Sequence, residues 1–417
     1  MLGQPPRPLV GPRSMSVPQS PLSVDARSRL RSIRARLDTL ATHTATWWLD
    51  HGMDTEYGGF HGTLDRTGVP CPPTHKGIIQ QSRHLWALST WHERRAATSL
   101  VKACADRTYA FIVEHFRDPN DGEFFWQVDR SGGVTSRMKK LYAESFAIYG
   151  LAAYGRVFGN QQALVQALDC FRSLDERCHD AIHGGYDQTS DPLSWINGLA
   201  KGTNTHIHLM EAFTELFVAT ADSIVRSRLS ELVTLMAERL LQPTGHIPAA
   251  FTVGWQPQGA ALVSYGHDLE TAWLIVDAAR VLGRADEQGL LDAAVAMGQH
   301  SAERGFDSEL GGCFYEGVPG GCVTSRYKVW WVQFEAVAAT FWLLRLTGDE
   351  AHLVRLERML DYVEAARDAA HGEWFYGLNP DGTLGPDGPN KGQEWKTSYH
   401  SLRSLLFTAD WIEEYCD

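Results

Sequence analysis

Six polar or aromatic residues recur along the chain at a nearly constant interval. They are Arg83, Tyr142, Asn204, His267, Trp331 and Trp395, and their successive numbers differ by 59, 62, 63, 64 and 64. If the repeats close into a ring, equivalent positions point at one central pocket. A repeat that served packing alone would keep similar apolar residues there. Unlike polar side chains at these positions therefore indicate a ring of residues around a ligand.

Three histidines, His208, His267 and His400, lie at or close to the ring positions. Imidazole titrates near neutral pH, so each can accept or donate a proton. Glu211 and Glu270 stand three residues after His208 and His267, on the same helical face, where a carboxylate can orient the imidazole or reach the same ligand. Taken singly, each histidine fits a core or rim position equally well. Taken together, they favour acid/base chemistry.

A metal site is the competing interpretation of these histidines. His206 and His208 are only two residues apart, so they cannot both point inward on a helix. The sequence has no His-Glu-x-x-His motif and no Cys-x-x-Cys motif. It therefore favours acid/base histidines without a metal.

Tryptophans are frequent beside the same positions, in a chain that has 14 of them. The examples are Trp86, Trp273, Trp330, Trp331 and Trp395. A sugar ring can pack its flat C–H face on an indole while its hydroxyls bond to polar side chains. Any single tryptophan fits the core of a wide barrel equally well. The mixture of tryptophan with Arg, Asn, Glu and His suits a carbohydrate.

The elements that must position these residues also repeat. A phrase of the form Asp-x-x-x-Gly-Gly-aromatic, or a close variant, occurs at 54–60, 118–124, 180–186, 307–313 and 368–374. The numbers of their first residues differ by 64, 62, 127 and 61 in turn. The step of 127 corresponds to two repeats with one degraded copy, which we place near Gln242 to Ala249. The chain is thus predicted to hold six copies of one supersecondary unit.

Two kinds of helical pattern lie between the phrases. The first kind has apolar residues at three- and four-residue spacing, over 97–114, 162–178, 224–241, 288–303 and 350–367. The second is apolar on all sides, which is typical of buried helices, over 80–91, 141–157, 206–219, 267–282, 330–346 and 399–411. Six pairs of outer and inner helices predict an all-α (α/α)6 barrel with short strands and Gly-rich loops at one rim. An open superhelical stack is the alternative, but it would expose the aromatic inner helices.

The composition is compatible with one catalytic domain over residues 23–417. The net charge of −12 argues against nucleic acid as a partner. Seven cysteines without regular spacing indicate reduced thiols and a cytoplasmic location. Residues 1–22, rich in Pro and Ser, are expected to form a disordered tail, and no stretch has the length of a membrane span. The oligomeric state stays open between monomer and homodimer.

Six segments of the chain resemble, in order and spacing, the N-acylglucosamine 2-epimerase superfamily. They are KGIIQQSRHLW (76–86), KKLYAESFAIYGLAAY (139–154), NTHIHLMEAFTELF (204–217), SYGHDLETAWL (264–274), KVWWVQFEA (328–336) and EWKTSYHSLR (394–403). The wording of the fourth and fifth segments is most similar to the cellobiose 2-epimerase branch. The resemblance covers about residues 27–413. It implies an (α/α)6 barrel that epimerises or isomerises a small sugar without a nucleotide or redox cofactor.

The resemblance also implies roles for individual residues. It makes His267 and His400 the acid/base pair and lets His208 assist ring opening. The residues that it places at the substrate are Arg83 and Asn204 on the first two sugar oxygens, Glu270 and Glu335 as orienting groups, Glu211 beside His208, and Tyr142, Trp273, Trp331 and Trp395 around the sugar. The loop 379–391 and the Pro-rich stretch 69–74 depart from the family pattern, which leaves the preferred sugar open.

Other functions remain compatible with the residues. An aldose–ketose isomerase acting on mannose or fructose would use the same proton chemistry. An inverting glycoside hydrolase would use two carboxylates, for which Glu270 and Glu335 are the candidates. A sugar-binding protein without catalytic activity is the third alternative, and fold alone decides none of these.

Overall fold

The computed structural model describes residues 22–188 and 200–416. Within these ranges the chain forms twelve α-helices in two concentric layers. The inner helices are α2 Ile78–Arg94, α4 Leu141–Phe158, α6 Thr203–Thr220, α8 Tyr265–Leu282, α10 Trp330–Thr347 and α12 Tyr399–Cys416. The outer helices are α1 Val24–His51, α3 Ser99–His115, α5 Gln161–Cys178, α7 Ser223–Thr234, α9 Gln288–Arg304 and α11 Ala351–Ala365, and a π-helical turn, Leu235–Leu240, extends α7.

The inner helices form a closed ring. Each packs against the next inner helix along the chain, and α12 packs against α2. Every outer helix packs against at least one inner helix, and α1 pairs with α12, so the first and last helices of the described chain complete the circle. The predicted (α/α)6 barrel is confirmed, and the open stack is wrong. The sequence pattern predicts five of the outer helices, and it does not predict α1.

Short antiparallel strands lie between the helices. They form four small sheets: β1 Lys76–Gly77, β2 Gln127–Val128 and β3 Val134–Ser136; β4 Lys201–Gly202, β5 Ala250–Phe251 and β6 Pro257–Gln258; β7 Val263–Ser264, β8 Glu316–Gly317 and β9 Val323–Ser325; and β10 Lys328–Val329 with β11 Gly377–Leu378. The strands β1, β4, β7 and β10 each lead directly into an inner helix. They therefore fix where those helices begin.

The Gly-rich phrases form the turns that follow the outer helices. In each of the five copies an isolated antiparallel bridge closes the turn, as between Phe306 and Cys313. The aspartate of the phrase pairs with a lysine that precedes the inner helix: Asp307 Oδ2 lies 2.7 Å from Lys328 Nζ, and this amine also donates to the carbonyl of Gly311 at 2.7 Å. Equivalent pairs join Asp54 to Lys76, Asp118 to Lys139, Asp180 to Lys201 and Asp368 to Lys391. These ion pairs tie each rim loop to the start of an inner helix.

The expected tail, residues 1–22, lies outside the described residues apart from Leu22, and the single domain over residues 23–417 stays a prediction. Among the described helices, none is both long enough and apolar enough to cross a membrane.

Candidate active site

A cavity of about 360 Å³ opens where the inner helices begin. Residues from the first two turns of all six inner helices contribute to its lining. Each helix N-terminus carries a partial positive charge because its first N–H groups are unpaired within the helix. The cavity is therefore suited to a ligand that is negative or that becomes negative.

Nine of the twelve predicted site residues line this cavity. They are Arg83, Tyr142, Asn204, His208, His267, Glu270, Trp331, Trp395 and His400. The structure thus brings together the six ring residues, which belong to six successive repeats and are far apart in the chain. Glu211, Trp273 and Glu335 are not among the residues that line the cavity, and their predicted roles stay predictions. They lie beneath it and contact the residues that do.

The layer beneath the cavity is built around Arg403, which is fully buried on α12. Its guanidinium donates to Oε1 of Glu335 at 2.8 Å and to carboxylate oxygens of Glu270 and Glu211. These three glutamates come from α10, α8 and α6. One cation therefore holds together carboxylates from three neighbouring inner helices.

The orientation of His400 is set by this layer. Its Nδ1 lies 2.7 Å from Oε1 of Glu335. The other oxygen of Glu335 accepts a hydrogen bond from the indole N–H of Trp273 at 2.9 Å. Because a carboxylate can only accept, Nδ1 of His400 carries the proton, and Nε2 is left as the basic nitrogen.

His208 is held in a similar way. Its Nδ1 lies 3.0 Å from Oε2 of Glu211, one helical turn further along α6. The hydroxyl of Tyr399 donates to the same oxygen. By contrast, His206 accepts from the backbone N–H of Tyr186 at 2.9 Å through Nε2, so the two histidines face different ways, as their spacing predicts.

His267 is positioned by packing. The Ser264 hydroxyl caps α8 by accepting from the backbone N–H of His267. The imidazole packs on Trp331, with ring centroids 4.9 Å apart. The same indole packs on His400, with centroids 5.5 Å apart. One tryptophan therefore contacts both members of the predicted acid/base pair.

Burial makes both of these imidazoles weak bases. It lowers the pKa of His267 to about 3, and the charge of His208 acts in the same direction. Burial and the positive charges of Arg83 and Arg403 hold the pKa of His400 well below its ordinary value. Both side chains are thus neutral near pH 7 and have a lone pair that can accept a proton.

The three glutamates differ in their ionisation. Burial, together with the charge of Glu335, raises the pKa of Glu270 to about 7. Burial raises the pKa of Glu335 as well. Burial also opposes ionisation of Glu211, but Arg403 and His208 outweigh it and lower its pKa to about 2. When the three carboxylates share a proton near neutral pH, it therefore resides on Glu270 or Glu335, next to His400.

Arg83 lies on α2, which is next to α12 and opposite α8 in the ring of inner helices. Its guanidinium donates to the hydroxyl of Tyr142 at 3.0 Å and to the carbonyl of Trp395 at 2.9 Å, and it stacks over Phe146 with 4.2 Å between Cζ and the ring centroid. These contacts hold a permanent positive charge in a fixed position beside the cavity.

Comparison with known proteins agrees with this geometry. A model of the N-acylglucosamine 2-epimerase family matches residues 58–404. The chain belongs to the N-acylglucosamine 2-epimerase family. A cellobiose 2-epimerase of Bacteroides fragilis is 31% identical to it over 381 residues, which are 88% of this chain and 96% of the relative.

Two further known proteins are similar to the chain. The solved structure of cellobiose 2-epimerase from Spirochaeta thermophila has a TM-score of 0.86 at 30% identity, and the match covers 95% of this chain and all of that chain. A D-mannose isomerase of Thermobifida fusca is 27% identical over 350 residues, which are 78% of this chain and 82% of the relative.

Reasoning from the sequence missed several residues in this family member's site. Arg403 lies in the quoted segment 394–403, three residues after His400, and this helical spacing is the signal that points to it. Gln188, Tyr315 and Tyr376 also line the cavity. Each stands two residues after the end of a Gly-rich phrase, so the repeat period points to them too.

The cluster of Glu270, Glu335 and His400 has the ligand types of a metal site, with atoms within 4.8 Å of one another. Nη2 of Arg403, however, donates to Oε1 of both glutamates. The guanidinium already neutralises these carboxylates, and His400 uses Nδ1 to bind one of them. The oxygens and the nitrogen that could bind a metal are therefore already used in contacts with one another and with Arg403, and this arrangement does not fit a resident metal.

Proposed function

We propose that this family member is a cofactor-independent carbohydrate 2-epimerase of the cellobiose 2-epimerase type. It would invert the second carbon of a glucose or mannose unit, at a reducing end or in the free sugar. The observation that carries the proposal is the pair of neutral imidazoles, His267 on α8 and His400 on α12, which line one cavity and contact one indole, Trp331. The activities named for the similar proteins support it.

The reaction begins with ring opening, because the hydrogen on the second carbon becomes acidic only beside a free aldehyde. Opening moves a proton from the first hydroxyl to the ring oxygen. His208 is suited to this transfer because Glu211 binds its Nδ1 and leaves Nε2 to receive the proton.

One imidazole of the pair then removes the proton from the second carbon. The electrons of the broken C–H bond move toward the carbonyl oxygen, which gives an enediolate. Arg83 and the helix N-termini around the cavity stabilise its negative charge. The same charge raises the proton affinity of both imidazoles while the intermediate exists, which offsets the lowering of their pKa by burial.

The second imidazole returns a proton to the opposite face, and ring closure reverses the first step. This imidazole must carry an extra proton at that moment. The extra proton sits on Nε2 and comes from solvent, while Glu335 keeps its hydrogen bond with Nδ1 of His400 and stabilises the imidazolium. The two imidazoles exchange protonation states in each turnover, and proton exchange with water restores the starting state.

An aldose–ketose isomerase is the second candidate. Returning the proton to the first carbon of the same enediolate yields a ketose, and the D-mannose isomerase similarity favours this outcome. The hydrolase alternative is disfavoured by distance. The carboxylates of Glu270 and Glu335 approach within 4.8 Å, whereas inverting hydrolases hold theirs about 6.5 to 9.5 Å apart to admit a water.

The test is product analysis in heavy water. The protein is incubated separately with glucose, mannose, N-acetylglucosamine, cellobiose and lactose, and the products are resolved by chromatography and NMR. We expect the 2-epimer of at least one sugar, with deuterium at its second carbon. Retention of the original hydrogen together with a requirement for nicotinamide would overturn the scheme, and shortened oligosaccharides would indicate a hydrolase. The free thiols of all seven cysteines support a cytoplasmic location for this reaction.

A further inference from the structure

A second set of equivalent positions lines the cavity at the rim loops. Two residues after the end of a phrase stand Gln188, Tyr315 and Tyr376, and Ala249 occupies the corresponding place in the degraded copy. The backbone N–H of Tyr186, the last residue of its phrase, donates to His206, and the backbone N–H of Ile247 donates to Asp268 in the same way. Ile247 is therefore the last residue of the degraded phrase, and Ala249 stands two residues after it. In this set of four, Gln188 alone has a side-chain amide.

The amide of Gln188 is held on one side and unpaired on the other. The residue is only 4% exposed. The hydroxyl of Thr205, itself a cavity residue, donates to Oε1, and the backbone N–H of Gln188 donates to the carbonyl of Ala200 at 2.7 Å. Nε2 has no hydrogen-bond partner among the described residues. Leaving a buried donor unpaired is unfavourable, so such a group in a binding cavity points to a ligand acceptor.

Gln188 lies on a rim loop, across the ring from His400. Thr205 lies on α6, and α6 stands opposite α12, which carries His400, in the circle of six inner helices. The first two carbons of the sugar must lie near His267 and His400. Arg83 and Asn204 are the residues assigned to the oxygens of these two carbons, so the acceptor for Gln188 belongs to a carbon further along the sugar.

We propose that Gln188 is a specificity-determining residue whose Nε2 donates to a hydroxyl oxygen on the third, fourth or sixth carbon of the bound sugar. The inference rests on the proposed function for the identity of the ligand. It adds a selection among sugars that the acid/base residues do not provide, because His267 and His400 act at the carbon next to the aldehyde.

The test combines a protein change with a substrate change. Wild type and Gln188→Leu are compared on glucose and on its 3-deoxy, 4-deoxy and 6-deoxy forms, with kcat/KM measured for each. For glucose we expect the variant to lose about three- to tenfold, the range for one neutral hydrogen bond. For one deoxy sugar, the wild type should show a similar loss and the variant no further loss, which identifies the hydroxyl. The change should fall mainly on KM.

Two further variants keep the result interpretable. Gln188→Glu keeps the acceptor for Thr205 and removes the donor, so it should lose activity toward the same hydroxyl. Gln166 offers a matched control because it is also 4% exposed and accepts from a hydroxyl, that of Tyr109 at 3.0 Å, but lies on the outer helix α5. Gln166→Leu should leave the ranking of all four sugars unchanged.

The outcomes separate this inference from the proposed function. If the wild type does not epimerise glucose but epimerises another sugar, the deoxy series is made from that sugar. If Gln188→Leu then shows the same losses as the wild type on every deoxy sugar, the role of Gln188 is wrong and the epimerase proposal stands. If the wild type inverts no sugar, the proposed function fails first. Equal losses with Gln166→Leu would show that general destabilisation, and no sugar contact, explains the effect.

Discussion

Nδ1 of His400 and Oε1 of Glu335 lie 2.7 Å apart across the contact between α12 and α10. The carboxylate is itself immobile, because Trp273 binds one of its oxygens and Arg403 the other. A fixed acceptor fixes the imidazole, so Nε2 has a defined direction before a substrate arrives. This preorganisation is what an acid/base residue needs to act on one face of one carbon.

The first prediction concerns the two imidazoles. His267→Asn and His400→Asn should each abolish net epimerisation, since inversion needs a group on both faces of the second carbon. One of the variants should still exchange the substrate's own hydrogen with solvent. NMR of the sugar in heavy water measures both events. Near wild-type epimerisation by both single variants would show that the assignment is wrong.

The second prediction concerns Arg83. The guanidinium donates to Tyr142 and to the carbonyl of Trp395 from two nitrogens in a fixed plane, and the single ammonium of a lysine cannot reproduce that geometry. Arg83→Lys should lower kcat about 100- to 1000-fold, the usual cost of losing a preorganised donor to a developing oxyanion. The KM should change little because the aromatic wall still holds the sugar. A raised KM with an unchanged kcat would instead make Arg83 a ground-state binding residue.

The third prediction uses the ionisation of Glu270, whose pKa is raised by burial and by Glu335 to about 7. An unfolded chain releases this proton near pH 4.5, while the folded protein keeps it to about pH 7. The wild type therefore loses stability relative to Glu270→Gln as the pH rises through this window, by about 3 kcal/mol in total. Urea unfolding of both proteins at pH 4.5, 6, 7 and 8 measures the difference. A difference that stays constant from pH 4.5 to 8 would contradict the assignment.

The fourth prediction concerns Arg403. Arg403→Met leaves three buried carboxylates without their cation, which should cost on the order of 3 to 5 kcal/mol. The loss should be larger at pH 8 than at pH 5, because protonation relieves the repulsion. Unfolding free energies at the two pH values test this. Arg345→Met is the control. Arg345 is equally buried, but it lies near the C-terminal end of α10, where its guanidinium is 3.9 Å from the carboxylate of Glu414 on α12. Its effect should depend less on pH.

The sequence predicts the architecture and most of the cavity because both follow from a period. The ring residues share one nearly constant step along the chain, so a single assumption, closure of the ring, brings them together. The period does not determine depth within the barrel. Trp273 lies six residues after His267 on α8, which carries it below the cavity, to the hydrogen bond with Glu335. A helical face shows the direction of a side chain but not how far it lies from the substrate.

Arg403 illustrates the other limit of the sequence. Its three partners lie on three other helices, 133, 68 and 192 residues away. No local spacing encodes those contacts. They exist only because α12 closes the ring and brings one cation next to the glutamates of α6, α8 and α10. The sequence therefore does not show the partners of the residue that organises the layer beneath the cavity.

The last prediction concerns Gly266, the second residue of α8. A methyl group there would lie 2.6 Å from two atoms of the Trp331 indole, which contacts both His267 and His400. Gly266→Ala must therefore displace the indole, and a shift of about 1 Å beside reacting groups typically costs about 100-fold in rate. We expect such a loss in kcat, with about 1 to 3 kcal/mol lost from stability through overpacking.

Gly289 supplies the matched control for this change. It is likewise the second residue of a helix, α9, and a methyl group there meets nothing within 4 Å among the described residues. Gly289→Ala should leave kcat unchanged and stabilise the fold by up to about 1 kcal/mol, because alanine is the better helix former. Steady-state kinetics and urea unfolding of both variants decide the matter. If Gly266→Ala kept the wild-type kcat, the position of the Trp331 indole would not matter for proton transfer, and contact with both imidazoles would be packing alone.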